Sequence, residues 1–253
     1  MQAPSPPGIL PAQILENVIK FKWGALPAEQ REGVKNFLSN FIIRFTLDES
    51  LFRKETTFVN KLNIMLVQIL KHDWPLKWQS FVPDIVAASK TSETLCENTM
   101  KILRLLSEEV FDFSRLDLTQ AKTKELKASL NNEFRLIHEL CVFVLMNTRK
   151  VELVRATLDT LNAYLTWVPL GYIFESNLVE LLLQLFPQPS FRNVALQCLT
   201  EVRSATSAGG NSGSTLRGYQ LASTKEEASA GGAVHIMGAA WVARLQPKAP
   251  APL

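Results

Sequence analysis

The stretch Val34–Phe45, VKNFLSNFIIRF, decides the fold. Val34, Phe37, Leu38, Phe41, Ile42 and Phe45 recur at i, i+3, i+4, i+7, i+8 and i+11. At 3.6 residues per turn these positions form one wide apolar stripe along a helix. A helix striped in this way cannot bury its apolar face alone. Each large side chain left in water forgoes about 1.5–3 kcal/mol, so the stripe demands a neighbour.

Neighbours follow on the C-terminal side. Val59, Leu62, Leu66 and Ile69 repeat the pattern, as do Leu95, Ile102, Leu106 and Val110. Phe134, Ile137, Cys141 and Val144 come next, then Val154, Leu158, Leu161 and Leu165. Phe191, Val194, Ala195, Cys198, Leu199 and Val202 close the series. The segment around Leu178–Phe186 is apolar nearly all round and must be covered on several sides. No stretch keeps a period of two, so the expected class is all-α.

Breakers separate the stripes. Pro27 suits a first helical turn, where its missing N–H costs nothing. Trp74-Pro75 ends a helix, because the residue before proline is pushed out of the α region. Thr91-Ser92 offers an N-cap, Asp117 or Thr119 another, and Ser190 a third after Pro187 and Pro189. Val168-Pro169-Leu170-Gly171 is a further break. About eight helices are expected between Leu26 and Arg203. Periodicity leaves two arrangements open, a closed bundle and a solenoid of helix pairs with about 40 residues per repeat.

Composition bounds the rest. Of 253 residues, 47% are hydrophobic and 20% charged, enough apolar material for a core. Residues 12–203 carry 23 basic and 22 acidic side chains, which is no footprint for nucleic acid. No apolar run approaches the ~18 residues of a membrane span. The start, MQAPSPPGILP, lacks the regions of a secretory signal. Residues 1–11 hold four prolines and read as an unstructured leader. Residues 204–253 hold seven of the eleven glycines with much Ala and Ser, and read as a disordered tail. Within that tail Val234–Val242 is an apolar island, at most a marginal helix.

Chemistry is sparse. Cys96, Cys141 and Cys198 are widely spaced, with no CxxC or Cys/His cluster, and read as reduced core thiols. No HExxH, GxSxG or Gly-rich phosphate loop is present, so no catalytic residue, metal ligand or cofactor is assigned. His72 reads as a helix C-terminal residue and His138 as structural. Glu108-Glu109 diverge on a helix and read as a solvated face. Lys122, Lys124, Glu125 and Lys127 read as the wet face of a long helix, with an acidic partner as the functional alternative. Trp74, Trp78 and Phe81 read as packed inside.

The same segments carry a resemblance. KLNIMLVQILKHDWPLKWQSFVPDIV (Lys61–Val86), TSETLCEN (Thr91–Asn98) and ILRLLSEEVFDFS (Ile102–Ser114) are among them. NEFRLIHELC (Asn132–Cys141), WVPLGYIFES (Trp167–Ser176) and FRNVALQCLTE (Phe191–Glu201) continue it. With QILENVIKFKW (Gln13–Trp23) they resemble successive N-terminal segments of the exportin-1 family of the importin-β superfamily, in the same order and spacing. The wording is most similar to plant forms.

The resemblance selects the solenoid. It implies HEAT-type antiparallel helix pairs, with partial importin-β N-terminal-like repeats over 12–57 and exportin-like repeats over 58–203. It implies Ran in its GTP form as a partner, nucleoporins as further partners, and residence in nucleus and cytoplasm and at the nuclear pore. The family's export-signal groove and reactive cysteine lie beyond this region. Cargo binding by this chain is therefore not expected, and the chain is expected to be an arc cut at both ends. The alternatives are a helical scaffold that binds another partner and a truncated product without export activity. Lys61, Gln68 and Lys71 lie off the Val59–Ile69 stripe and are the candidate partner-binding residues, against a reading as solvated side chains.

Overall fold

The structure is a computed structural model that describes residues 9–111, 119–168 and 170–208. Eleven α-helices account for most of them: α1 Ile9–Lys22, α2 Ala28–Leu47, α3 Glu49–Lys54, α4 Thr56–Asp73, α5 Phe81–Ser89, α6 Glu93–Phe111, α7 Gln120–Asn147, α8 Val151–Leu165, α9 Leu170–Phe174, α10 Leu178–Leu185 and α11 Arg192–Ala208. A single 3-10 turn, Trp23–Ala25, follows α1, and no strand occurs among the described residues.

Local chemistry sets the helix ends. Asp48 caps α3 by accepting from the Leu51 N–H at 3.0 Å. Thr119 caps α7, its hydroxyl accepting from the Lys122 N–H at 3.3 Å. The Ser92 hydroxyl accepts from the Leu95 N–H at the start of α6. Trp74, before Pro75, is extended and ends α4.

Paired contacts give the helices their directions. Asn63 meets Asn98 and, two turns on, Lys71 meets Glu109, so α4 and α6 run parallel. Thr160 donates to the Met100 carbonyl and Tyr164 to the Leu103 carbonyl, so α6 and α8 run parallel too. Arg155 reaches the Ser190 carbonyl and Cys198 the Leu158 carbonyl, extending the sense to α11. α1 packs beside α4 at the other end of this row. The return helices run against it. Lys35, early in α2, meets Asp73 at the end of α4, while Phe45, late in α2, meets the Phe58 ring in a tilted contact with centroids 5.4 Å apart. Lys122 at the start of α7 reaches the Trp74 carbonyl, and Thr148 just past its end reaches Glu93. α5, α7 and α10 pack in succession as the second row. The result is an all-α solenoid of antiparallel helix pairs. One apolar core runs through it from Ile19 to Val202.

Four expectations are corrected. The leader does not stay irregular to residue 11: α1 begins at Ile9, and Pro11 sits in its first turn, where a missing N–H is tolerated. The final helix runs to Ala208 rather than ending at Arg203. Ser190 does not cap it; the helix starts at Arg192, because the chain turns twice through Gln188–Phe191 to bury Phe191. Beyond Leu26, ten helices appear among the described residues in place of about eight, since α3 and α9 are too short to show a period. The remainder of the leader, Asp117 and the tail from residue 209 lie outside the described residues.

Candidate functional site

The three candidate residues all project from α4, and the structure treats them differently. Lys61 is half-buried near the start of the helix. Gln68 and Lys71 both turn toward Glu109 of α6, at 3.4 and 2.9 Å. Lys71 is buried, 4% exposed, so it fastens α4 to α6 rather than lying open on an inner surface. Glu109 is therefore not a solvated carboxylate, whereas Glu108, one residue earlier and about 100° round the helix, stays exposed beside Arg104.

At the C-terminal end of α4 lies a polar hub. Asp73 is 2% exposed; its Oδ1 accepts from the Trp23 indole at 3.0 Å and its Oδ2 meets the Lys35 ammonium at 3.1 Å. Lys35 also bonds Glu32 at 2.6 Å and lies 5.2 Å from the centre of the Trp78 ring. Burial alone would raise the Asp73 carboxyl, but the indole and ammonium outweigh it and hold the group below its ordinary range. Trp74 and Phe81 are buried as expected, while Trp78 is half-buried over Lys35.

A second hub sits at the N-terminal end of α6. Glu97, 2% exposed, accepts from Arg53 of α3 and from Lys101. Burial pushes its carboxyl up, and the two cations bring it below the usual value. Glu49, Lys150 and Glu93 continue the chain of charge to α8. Lys122, expected on a wet face, is drawn in to donate to the Trp74 carbonyl at 2.8 Å; Lys124 is exposed.

His138 is buried between Phe134 and Tyr172, with Nε2 3.3 Å from the Ser176 hydroxyl. Burial lowers its pKa, so the ring is held neutral. The void beside it, lined by Phe134, Tyr164 and Ile173, is too tight for water. All three cysteines are free and buried; burial pushes Cys96 and Cys198 up to about 12 and Cys141 higher. Thiols so disfavoured as thiolates are poor nucleophiles. Among the described residues no three His, Cys, Asp or Glu side chains gather as a metal site would require, and no helix is long and apolar enough to cross a membrane. Asp73, Glu97 and His138 are buried between helices, where their contacts hold neighbouring elements together.

Comparison with known proteins agrees with this architecture. Residues 55–199 match the family profile described as exportin 1-like protein, and residues 9–44 match the importin-beta N-terminal domain. The chain belongs to the exportin 1-like family. Protein EXPORTIN 1A of Arabidopsis thaliana is 63% identical over 75% of this chain and 18% of its own length. Exportin-1 of Schizosaccharomyces pombe is 49% identical over 77% of the chain and 18% of its length. Exportin-5 of Homo sapiens is 27% identical over 74% and 17%. The chain thus spans about 18% of the length of the exportin-1 relatives it matches. The exportin 1-like match begins at the end of α3 and stops within α11, so it covers the parallel row from α4 onward. The importin-beta match covers α1 and most of α2, the helices that place Trp23 and Lys35 on Asp73. That hub is where the two matched segments meet. Sequence reading missed it, although an Asp closing an apolar helix just before Trp-Pro was a usable signal.

Proposed function

We propose that this chain is an arc of a nuclear export receptor and acts in Ran-GTP-dependent export of proteins that carry leucine-rich export signals. The observation that carries the reading is the succession of an importin-beta N-terminal match over residues 9–44 and an exportin 1-like match over residues 55–199 along one apolar core. In this reading the arc belongs to the Ran-proximal side of the receptor and does not itself grip cargo. Nucleoporins are the further partners, and the receptor moves between nucleus and cytoplasm through the pore. Lys61 is the partner-facing candidate we retain. Gln68 and Lys71 serve by fixing α4 on α6 and so shape the surface indirectly.

The test is retention of the purified chain on immobilised Ran loaded with GTP or with GDP. Preferential retention on the GTP form is expected, with Lys61→Glu weakening it. Equal retention, or none, overturns the reading. A second reading, a helical scaffold without export activity, is favoured by the apolar side chains left open on α1, where Ile14 is 64% and Phe21 72% exposed. It predicts self-association in light scattering together with indifference to Ran.

A further inference from the structure

The turn between α4 and α5, Trp74–Ser80, is pinned beside α7. The Lys77 N–H donates to the Asp73 carbonyl at 2.7 Å, and the Lys122 ammonium donates to the Trp74 carbonyl at 2.8 Å. On α7, Lys122, Ser129 and Glu133 fall at i, i+7 and i+11 and so share a face, with Asn132 one turn beyond Ser129. Between the pinned turn and this stripe lies a cleft of about 240 Å³. Trp74, Pro75, Leu76 and Gln79 line one side of it, and Ser129, Asn132 and Glu133 the other.

The two kinds of lining differ in chemistry. Trp74 is 1% exposed and Pro75 half-buried, while Leu76 is 70% exposed. The polar groups are unengaged. Gln79, Ser129, Asn132 and Glu133 make no side-chain hydrogen bond or ion pair with any of the described residues. The Trp74 indole N–H also meets no acceptor among them. Polar side chains at the helix seams behave otherwise, Asn63 pairing with Asn98 and Lys71 with Glu109. An apolar hollow with a few convergent, unpaired polar groups has the composition of a binding site.

Donor and acceptor types select the ligand. The Gln79 and Asn132 amides and the Ser129 hydroxyl each offer both a donor and an acceptor, which matches a peptide group. Glu133 offers acceptors alone and is the one charged side chain of the lining, so it calls for a cation. Lys122 does not supply it, being held by the Trp74 carbonyl and by Glu125 at 3.3 Å. Arginine fits better than lysine, because its planar fork meets a carboxylate through two parallel bonds. The volume falls just below the ~300–1,000 Å³ of small-molecule sites, which suits one long side chain and the peptide groups beside it. We propose that this cleft binds an extended peptide segment of a partner protein, with an arginine paired to Glu133 and an adjoining aliphatic side chain against Pro75 and Leu76.

Amide correlation spectra of the full, isotope-labelled chain test this, with N-acetyl-leucyl-arginine amide as the probe. Saturable shifts are expected at Leu76, Gln79, Ser129, Asn132 and Glu133, and none there with N-acetyl-leucyl-glutamate amide. Glu133→Gln is expected to weaken binding about tenfold. Glu139→Gln, which alters an exposed carboxylate paired with Arg135 outside the cleft, should leave binding unchanged. Glu133 has no partner among the described residues to lose, and steady α6 signals check that its variant keeps the fold. Should those signals move, Gln79→Ala, at an exposed position in the turn, decides instead, with a severalfold loss expected. Four results overturn the proposal: no saturable shift, shifts centred away from the cleft, equal binding of the glutamate dipeptide, or a deciding variant that binds as wild type does.

Discussion

Asp73 shows how one residue couples three helices. Its carboxylate is nearly dry, yet each oxygen has a strong donor, Trp23 on one and Lys35 on the other. A buried ion pair contributes little over an apolar substitute, but breaking one from one side strands the other charge at a cost of about 3–5 kcal/mol. Asp73→Ala is therefore expected to lower the free energy of urea unfolding by that amount. A loss under about 1 kcal/mol would mean that Glu32, 2.6 Å from the ammonium, satisfies Lys35 without Asp73. The pH dependence follows from the depressed Asp73 carboxyl. The folded state binds the proton less readily than the unfolded chain, so the contribution is complete above the ordinary carboxylate value. It is lost as pH falls from about 4 through the lower folded value. Asp73→Asn should flatten stability in that window. His138 acts at higher pH. Burial holds it neutral, so the unfolded chain takes up the proton first as pH falls below about 6.5, and stability declines. His138→Gln should remove part of the decline between about pH 6.5 and 5, leaving the share of His72, whose pKa is lowered in the same direction.

Between elements the polar contacts act as register pins. Asn63 and Asn98 exchange two amide hydrogen bonds, at 2.8 and 3.0 Å, in the middle of the α4–α6 seam, and neither is exposed. Apolar stripes alone let parallel helices slide by a turn at small cost; a reciprocal amide pair fits one register. Removing one partner leaves the other buried and unsatisfied, at about 1–3 kcal/mol, whereas removing both is nearly neutral. Asn63→Leu should thus destabilise, and Asn63→Leu/Asn98→Leu should recover most of the loss in the same unfolding assay. Additive losses would mean that the pair is held by packing rather than by its bonds. This seam also marks how far the sequence could be read. The stripes of α2, α4, α6, α7, α8 and α11 were legible because each helix is long enough to repeat its period. α3 and α9 were not, having six and five residues. Lys71 looked like a surface lysine because its partner, Glu109, lies 38 residues away, and local periodicity carries no trace of such a pairing. Asn63 was not singled out, although an amide among Val59, Leu66 and Leu70, a polar residue at a core position, was a usable sign of a buried pair.

For the whole molecule the question is whether the arc unfolds as one unit or as a stack. The two rows touch mainly their neighbours. α1 packs on α4 and on the short turn behind it, whereas α6 packs on α2, α4, α5, α7 and α8. In a stack of this kind stability is a sum of repeat and nearest-neighbour terms, so damage at an end stays at the end. Ile19 in α1 and Leu103 in α6 are both fully buried, and truncating either to alanine removes about 2–5 kcal/mol. The two losses should appear in different places. Ile19→Ala is expected to raise amide exchange at least tenfold in α1 and the turn at Trp23–Ala25 while α8 and α11 keep their protection. Leu103→Ala is expected to raise it across α4, α6 and α8 together, because every neighbouring seam leans on α6. A uniform rise in both variants would show a single closed cooperative unit. The parallel row would then be no more than a geometric description, and a receptor built by adding further repeats to it would have to fold as one body.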